Sequence, residues 1–174
     1  RFPFFSGGLG GSHLDLLNLI RFSHGAIFIC LMIICSFIDL RHMIIPDEIS
    51  LSMVALTPVV AFIHPELSLK SALIGVLLGG GIIYAIAWIY YILRRQEGIG
   101  MGDAKLLAGI GGWLGFESIL PTVFYGSIMG SVVGIIYLLI AKKFSLRAEI
   151  PFGPFLALGA LLHLLSKVRL HDLS

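Results

Sequence analysis

Six apolar segments occupy most of this chain and decide what it can fold into. Of the 174 residues, 57% are hydrophobic and only 13% are charged. A soluble domain of this length could not bury so much apolar surface, whereas a bilayer accepts it in helices that satisfy their own backbone hydrogen bonds. The sequence therefore predicts an all-α, polytopic membrane helix bundle with about six transmembrane helices.

The segments differ in how well they fit a bilayer, which needs about 20 apolar residues per helix. In chain order they cover residues 22–38, 49–63, 69–93, 104–116, 119–141 and 150–165. The second, fourth and sixth are short or interrupted by Pro and Gly, which predicts tilted, kinked or partly inserted helices. We expect residues 22–166 to form one transmembrane domain, followed by a tail at 167–174.

Residues 1–21 are interpreted as a lead-in. Its first part is rich in Phe and Gly, and Ser12 followed by Asp15 resembles a capping box. A helix that starts there would lie in the membrane interface and then turn into the bilayer.

Two acidic residues stand at the edges of apolar segments. Asp39 ends the first segment, and Asp103 begins the fourth, directly after the glycine-rich stretch 98–102. A carboxylate at a membrane edge is expensive and is usually kept for function. The alternative is that each is an ordinary residue that caps a helix or meets headgroups. We favour the pairing of Asp39 with Asp103 in one catalytic site.

A pair of close carboxyl groups suits hydrolysis. Two such groups cannot both ionise cheaply, so they share a proton. The ionised group can take a proton from water while the protonated group polarises a peptide carbonyl. This chemistry needs neither a metal nor a covalent intermediate, and the sequence predicts no metal or other cofactor.

Other polar and small residues flank the pair. Gly100 and Gly102 would leave the backbone bare for the close approach of another segment. Asp47 is assigned to capping the second helix, with a second role facing a basic substrate, and Glu48 to the first turn of that helix. Lys105 either reaches the headgroups or tunes the acidity of Asp103.

A proline-rich stretch opens the sixth segment. Pro151 and Pro154 leave backbone groups without partners, which in a membrane must be buried in protein or face a wet cavity. The stretch, including Gly153, is compatible with a wall of the active site and equally with a simple kink.

Loop charge predicts the orientation. With six spans, most basic loop residues share one side, and the opposite internal loops contain only Lys70. The positive-inside rule places the basic side, together with Asp39 and Asp103, in the cytoplasm. The basic loop residues are Arg41, Arg94, Arg95, Lys105, Lys142, Lys143 and Arg147.

Glycines four residues apart predict close helix packing. Small residues at this spacing line one helix face and let membrane helices approach each other. The sets are Gly75 with Gly79, Gly111 with Gly115, and Gly126 with Gly130 and Gly134.

Three motifs in this order resemble those of the type IV prepilin peptidases. They are residues 38–47 with Asp39 and Ile45-Pro46-Asp47, residues 100–105, and residues 150–155. The resemblance implies a multi-pass aspartic endopeptidase of the bacterial inner membrane. It would cut the short basic leader of prepilins and pseudopilins at the cytoplasmic face, with Asp39 and Asp103 as catalytic residues.

One departure from the family is the absence of Cys-x-x-Cys motifs. Many members carry an upstream zinc module with these motifs, linked to N-methylation. Either that module precedes this sequence, which the Arg1-Phe2-Pro3 start favours, or the protein is a peptidase only. Methyltransferase activity is not predicted for these residues.

Two other classes of membrane protein could use some of the same residues. A proton-coupled transporter also uses membrane acids, but near the midplane and often in repeated halves. A non-catalytic membrane assembly subunit would need only the glycine faces. The formal charge of +2 is too small to indicate nucleic-acid binding. The bilayer is the expected environment, and the sequence does not indicate an oligomeric state.

Overall fold

The computed structural model describes residues 11–94, 100–141 and 151–171. Over these residues the chain forms six α-helices and one short 3₁₀ helix, which confirms the predicted all-α fold. The 3₁₀ helix, Phe116–Ser118, joins the fourth helix to the fifth. The α-helices are α1 (Gly11–His42), α2 (Asp47–Ile63), α3 (Leu69–Arg94), α4 (Met101–Leu114), α5 (Ile119–Ala141) and α6 (Gly153–His171).

Within these described ranges, three stretches are long and apolar enough to cross a membrane. They are Leu16–His42, Leu69–Leu93 and Phe116–Tyr137. α6 contains a shorter apolar stretch, Gly153–Lys167. α2 and α4 have 17 and 14 residues, so the second, fourth and sixth segments are the short ones, as their sequences predict.

The two ends of the chain differ from the predicted boundaries. α1 begins at Gly11 and continues without interruption to His42. Residues 11–21 therefore belong to the same helix as the first apolar segment. The position of the membrane interface along this helix stays a prediction. α6 likewise continues to His171, beyond the predicted start of the tail at 167.

α4 is the central helix of the bundle. Ala104 and every residue from Leu106 to Leu114 are buried, and the helix packs against α3, α2 and α6. A helix that is apolar on all sides is stable only when other elements surround it. The short fourth segment is therefore a core helix with little surface left for lipid.

Glycines let α3 and α4 meet through their backbones. A Cβ atom placed on Gly75 would overlap the carbonyl group of Gly111, and one placed on Gly79 would overlap that of Leu107. Side chains at these positions would push the helices apart. The predicted packing role is confirmed for these three glycines.

Two further glycines have different outcomes. A Cβ on Gly126 would lie 3.0 Å from the carbonyl oxygen of Phe155, so this glycine packs α5 on α6 as predicted. Gly115 instead follows the end of α4 with φ 87°. A Cβ on Gly115 would lie 2.7 Å from the Ser71 Oγ atom of α3, so this glycine faces α3 as Gly111 does, and its left-handed backbone also ends α4.

One end of the bundle gathers the polar residues of interest. The C-terminal end of α1 meets the N-terminal ends of α2, α4 and α6 there, through contacts described below. We call this region the site end. Away from the site end, the Trp113 indole N–H donates a hydrogen bond to the Met53 carbonyl oxygen at 2.9 Å and fixes α4 to α2.

Candidate active site

Asp39 is a buried carboxyl group near the end of α1, with 5% of its surface exposed. Its Oδ2 atom accepts a hydrogen bond of 3.0 Å from the backbone N–H of Gly153. Gly153 is the first residue of α6, and the first N–H groups of a helix have no partner within the helix. They also form the positive end of the helix dipole, which attracts a carboxylate. Asp39 thereby joins α1 to α6.

Gly153 permits this contact because it has no side chain. A Cβ at this position would lie 2.6 Å from Asp39 Oδ2 and 3.2 Å from Ile45 Cδ1. Pro151 precedes α6, and Pro154 lies in the first turn, where a proline is tolerated. The proline-rich stretch therefore starts α6 beside Asp39, and the alternative of a simple kink is wrong.

Asp103 lies half-buried in the first turn of α4. Its N–H donates a hydrogen bond of 3.1 Å to the carbonyl oxygen of Gly100, the residue that caps α4. Ile45 links this turn to the start of α6, because its side chain lies 3.0 Å from the Cβ position of Gly102 and 3.2 Å from that of Gly153. Asp39 and Asp103, which are separated by 64 positions in the chain, thus belong to neighbouring segments at the site end.

The two glycines before Asp103 are not equivalent. A Cβ on Gly100 would lie 3.5 Å from Asp103 Oδ2, which is ordinary contact. A Cβ on Gly102 would lie 3.0 Å from the Cβ of Ile45, closer than side chains normally pack. Gly102 therefore allows α4 to approach the α1–α2 connection, whereas Gly100 is open enough for a small side chain.

Lys105 and Asp47 form an ion pair that the sequence analysis did not predict. The Lys105 ammonium group lies 2.7 and 2.8 Å from the two carboxylate oxygens of Asp47. Pro46 occupies the N-cap position of α2 and Asp47 the first helical position, without a side-chain capping bond. The capping role assigned to Asp47 is therefore wrong. Asp47 holds the ammonium group of Lys105 in this structure, and the two roles expected for Lys105, at the headgroups or on the acidity of Asp103, stay predictions.

The sequence candidates thus fall into two groups. One group surrounds the carboxyl pair: Asp39, Asp103, Gly102 and Gly153, with Gly100 and Pro151 next to them in the chain. Asp47, Glu48 and Lys105 are more exposed and lie at the margin. Ile45 packs against Gly102 and Gly153 of the first group. The sequence does not mark it as a site residue, because an isoleucine beside a proline carries no chemical signal of its own.

A known protein family matches the part of the chain that contains Asp39 and Asp103. The sequence profile described as the type IV leader peptidase family matches residues 26–135, a range that contains both Asp39 and Asp103. The chain belongs to this family. No solved structure matches it.

Relatives of this leader peptidase family include three curated proteins named prepilin leader peptidase/N-methyltransferase. The chain is 38% identical over 136 residues to the one from Xanthomonas campestris pv. campestris, covering 78% of this chain and 47% of the relative. It is 33% identical over 155 residues to one from Burkholderia pseudomallei, covering 88% and 50%. It is 33% identical over 144 residues to one from Escherichia coli K12, covering 80% and 62%. The chain spans about half the length of the first two.

Proposed function

We propose that this chain is a membrane-embedded aspartic endopeptidase that removes the short basic leader from type IV prepilins and pseudopilins. The carrying observation is the geometry of the site end, where Gly153 binds Asp39 and Ile45 packs between Gly153 and Gly102, the residue before Asp103. Membership of the type IV leader peptidase family supports the proposal, as do the names of the relatives, which describe prepilin leader peptidases.

The proposed reaction uses the two carboxyl groups as one unit that shares a proton. The ionised member takes a proton from a water molecule, whose oxygen attacks the scissile carbonyl carbon. The protonated member donates to the carbonyl oxygen as the C–O bond forms. Collapse of the tetrahedral intermediate breaks the C–N bond, and the leaving nitrogen takes up a proton from the pair. Both products leave without a covalent link to the enzyme.

The surroundings of Asp39 support this role. The Gly153 N–H binds Oδ2, which fixes the rotation of the carboxyl group and directs Oδ1 elsewhere. In our proposal Oδ1 binds the hydrolytic water. A catalytic group held by a neighbouring backbone needs little reorganisation when the reaction starts.

We place the site end at the cytoplasmic face of the bacterial inner membrane. Arg41 and Lys105 lie at this end, as expected from the positive-inside rule. The other basic loop residues Arg95, Lys142, Lys143 and Arg147 lie outside the described residues.

Attraction of a basic leader by nearby acids is part of the same proposal. The acids near the three motifs are Asp47, Glu48 and Glu97. Asp47 is paired with Lys105, and Glu97 lies outside the described residues. Glu48 is exposed in the first turn of α2. We therefore assign the attraction first to Glu48.

The test is digestion of a purified prepilin by the purified protein in detergent, with mass spectrometry locating the cut. Asp39→Asn and Asp103→Asn remove each carboxyl group with almost no change in shape, and each should abolish cleavage. Glu117→Gln is a matched control, because this exposed acid lies in the 3₁₀ helix that follows the other end of α4. Cleavage by either Asn variant at the wild-type rate would refute the paired mechanism.

A further inference from the structure

Ile45 occupies an unusual position in the connection between α1 and α2. Its neighbours Met43 and Ile44 are exposed to 52% and 65%, but Ile45 is exposed to only 6% and belongs to the hydrophobic core. An apolar side chain that turns inward from a short connection must fill a specific space. That space lies between the two acidic segments.

The side chain of Ile45 touches both segments through glycines. Its Cβ lies 3.0 Å from the position that a Cβ on Gly102 would occupy, and its Cδ1 lies 3.5 Å from the same position. The same Cδ1 methyl group lies 3.2 Å from the Cβ position of Gly153. Ile45 therefore fills the volume that side chains would take at both glycines.

Each of these glycines is tied to one of the acids. Gly153 donates its N–H to Asp39 Oδ2 at 3.0 Å, and Gly102 directly precedes Asp103. The order across the site is therefore Asp39, Gly153, Ile45, Gly102 and Asp103. A change in the size of the middle side chain alters the distance between the backbone segments on either side.

The backbone around Ile45 is well held. Met43 adopts φ 53° and donates its N–H to the Asp39 carbonyl oxygen at 2.8 Å. Pro46 has the fixed φ of a proline ring and starts α2. The Lys105–Asp47 ion pair then joins the start of α2 to α4. A side chain on such a connection can act as a spacer, since its own backbone has little freedom to yield.

We propose that Ile45 is a positioning residue that sets the separation of the Asp39 and Asp103 carboxyl groups. This inference rests on the proposed peptidase function. It assigns no chemistry to Ile45, which acts through the two segments it holds apart. Shortening the side chain lets those segments approach each other and strengthens the interaction between the two carboxyl groups, as for any pair of like charges at shorter distance.

The test combines turnover with its pH profile, measured on the full chain in detergent with a prepilin substrate. Ile45→Ala should lower kcat between roughly tenfold and a hundredfold, because a displacement of about 1 Å has effects of this size. The two limbs of the pH profile should move further apart, because coupled acids titrate in two steps whose spacing follows their interaction. Ile45→Leu, which keeps the volume of the side chain, should recover much of the wild-type kcat and of the wild-type pH profile.

Two controls separate positioning from stability. Ile110→Ala removes the same atoms from a fully buried position of α4 and should lower the unfolding temperature with an unchanged pH profile. Ile44→Ala changes the exposed neighbour of Ile45 and should alter neither the unfolding temperature nor the pH profile. The other titratable groups around the pair are unchanged in every variant: Cys35, Arg41 and His42 on α1, Asp47 on α2 and Lys105 on α4.

The outcomes distinguish this inference from the proposed function. An Ile45→Ala protein with the pH profile of wild type, and a rate loss no larger than that of Ile110→Ala, would overturn the spacer role. If Ile45→Ala does not fold, Ile45→Val decides the question, because it removes the Cδ1 methyl that touches both segments. Cleavage by Asp39→Asn or Asp103→Asn would overturn the proposed function itself, whatever the Ile45 variants do.

Discussion

Gly153→Ala tests how closely the start of α6 must approach Asp39. The added carbon would lie 2.6 Å from Asp39 Oδ2 and 3.2 Å from Ile45 Cδ1. Non-bonded carbon and oxygen atoms do not remain at 2.6 Å, so either the carboxyl group or the helix must move. Both neighbouring side chains are buried, which leaves little space for that movement.

The magnitude follows from two effects. Overpacking of a well-packed interior costs about 1–3 kcal/mol. Loss of the hydrogen bond from Gly153 to a charged acceptor would add about 1.5–3 kcal/mol. We therefore expect the free energy of unfolding to fall by at least about 2 kcal/mol. If Asp39 is displaced by about 1 Å, prepilin cleavage should slow by about a hundredfold.

The assay measures prepilin cleavage and thermal unfolding of the same detergent-purified samples. Gly25→Ala is the matched control, because a Cβ at this position in α1 meets nothing within 4 Å. Alanine within a helix is more stable than glycine by up to about 1 kcal/mol, so this variant should be fully active and no less stable. Wild-type cleavage by Gly153→Ala would show that Asp39 does not depend on this contact.

Three other substitutions probe the packing around the site. Lys105→Met should lower the free energy of unfolding by no more than about 1 kcal/mol, because its ion pair with Asp47 is partly exposed; a double-mutant cycle with Asp47→Asn that gives more than about 2 kcal/mol would contradict this. Gly75→Ala should destabilise by about 2 kcal/mol or more in thermal unfolding, because its Cβ overlaps backbone; Gly81→Ala, with open space, is the control, and equal stability of the two would contradict the prediction. Trp113→Phe removes a hydrogen bond to a backbone carbonyl of α2 and should lower stability by about 1 kcal/mol without loss of cleavage; a loss of cleavage at unchanged stability would argue against its structural role.

The helices themselves were predictable because hydropathy marks the part of a membrane helix that meets an apolar environment. The fifth segment was predicted at 119–141 and is Ile119–Ala141, and the third ends one residue later than predicted. The boundaries that failed are the start of α1 and the end of α6. There the helix continues past its apolar part, since backbone hydrogen bonding and not hydropathy decides where a helix ends.

The sequence does not show which residues contact each other between the helices of the site. Lys105 lies 58 positions from Asp47, and Gly153 lies 114 positions from Asp39. A lysine near two carboxyl groups and a membrane surface has several partners of similar energy, and only the packing of α2 on α4 selects one. The prediction that Asp39 and Asp103 act together used residue type and membrane side, which a sequence does carry. Their catalytic role stays a prediction.

The register of α3 against α4 has a consequence for access to the membrane interior. Gly75 lies opposite Gly111, and Gly79 opposite Leu107, so these antiparallel helices bring Asp103 level with residue 83. α3 continues to Arg94, which at 1.5 Å per residue places Asp103 about 16 Å short of its end. The projecting part exposes Trp88, Tyr90 and Tyr91, side chains that favour the headgroup layer. Asp103 therefore lies well inside the end of α3, and in the proposed reaction a scissile bond would have to pass the level of these aromatic side chains to reach it.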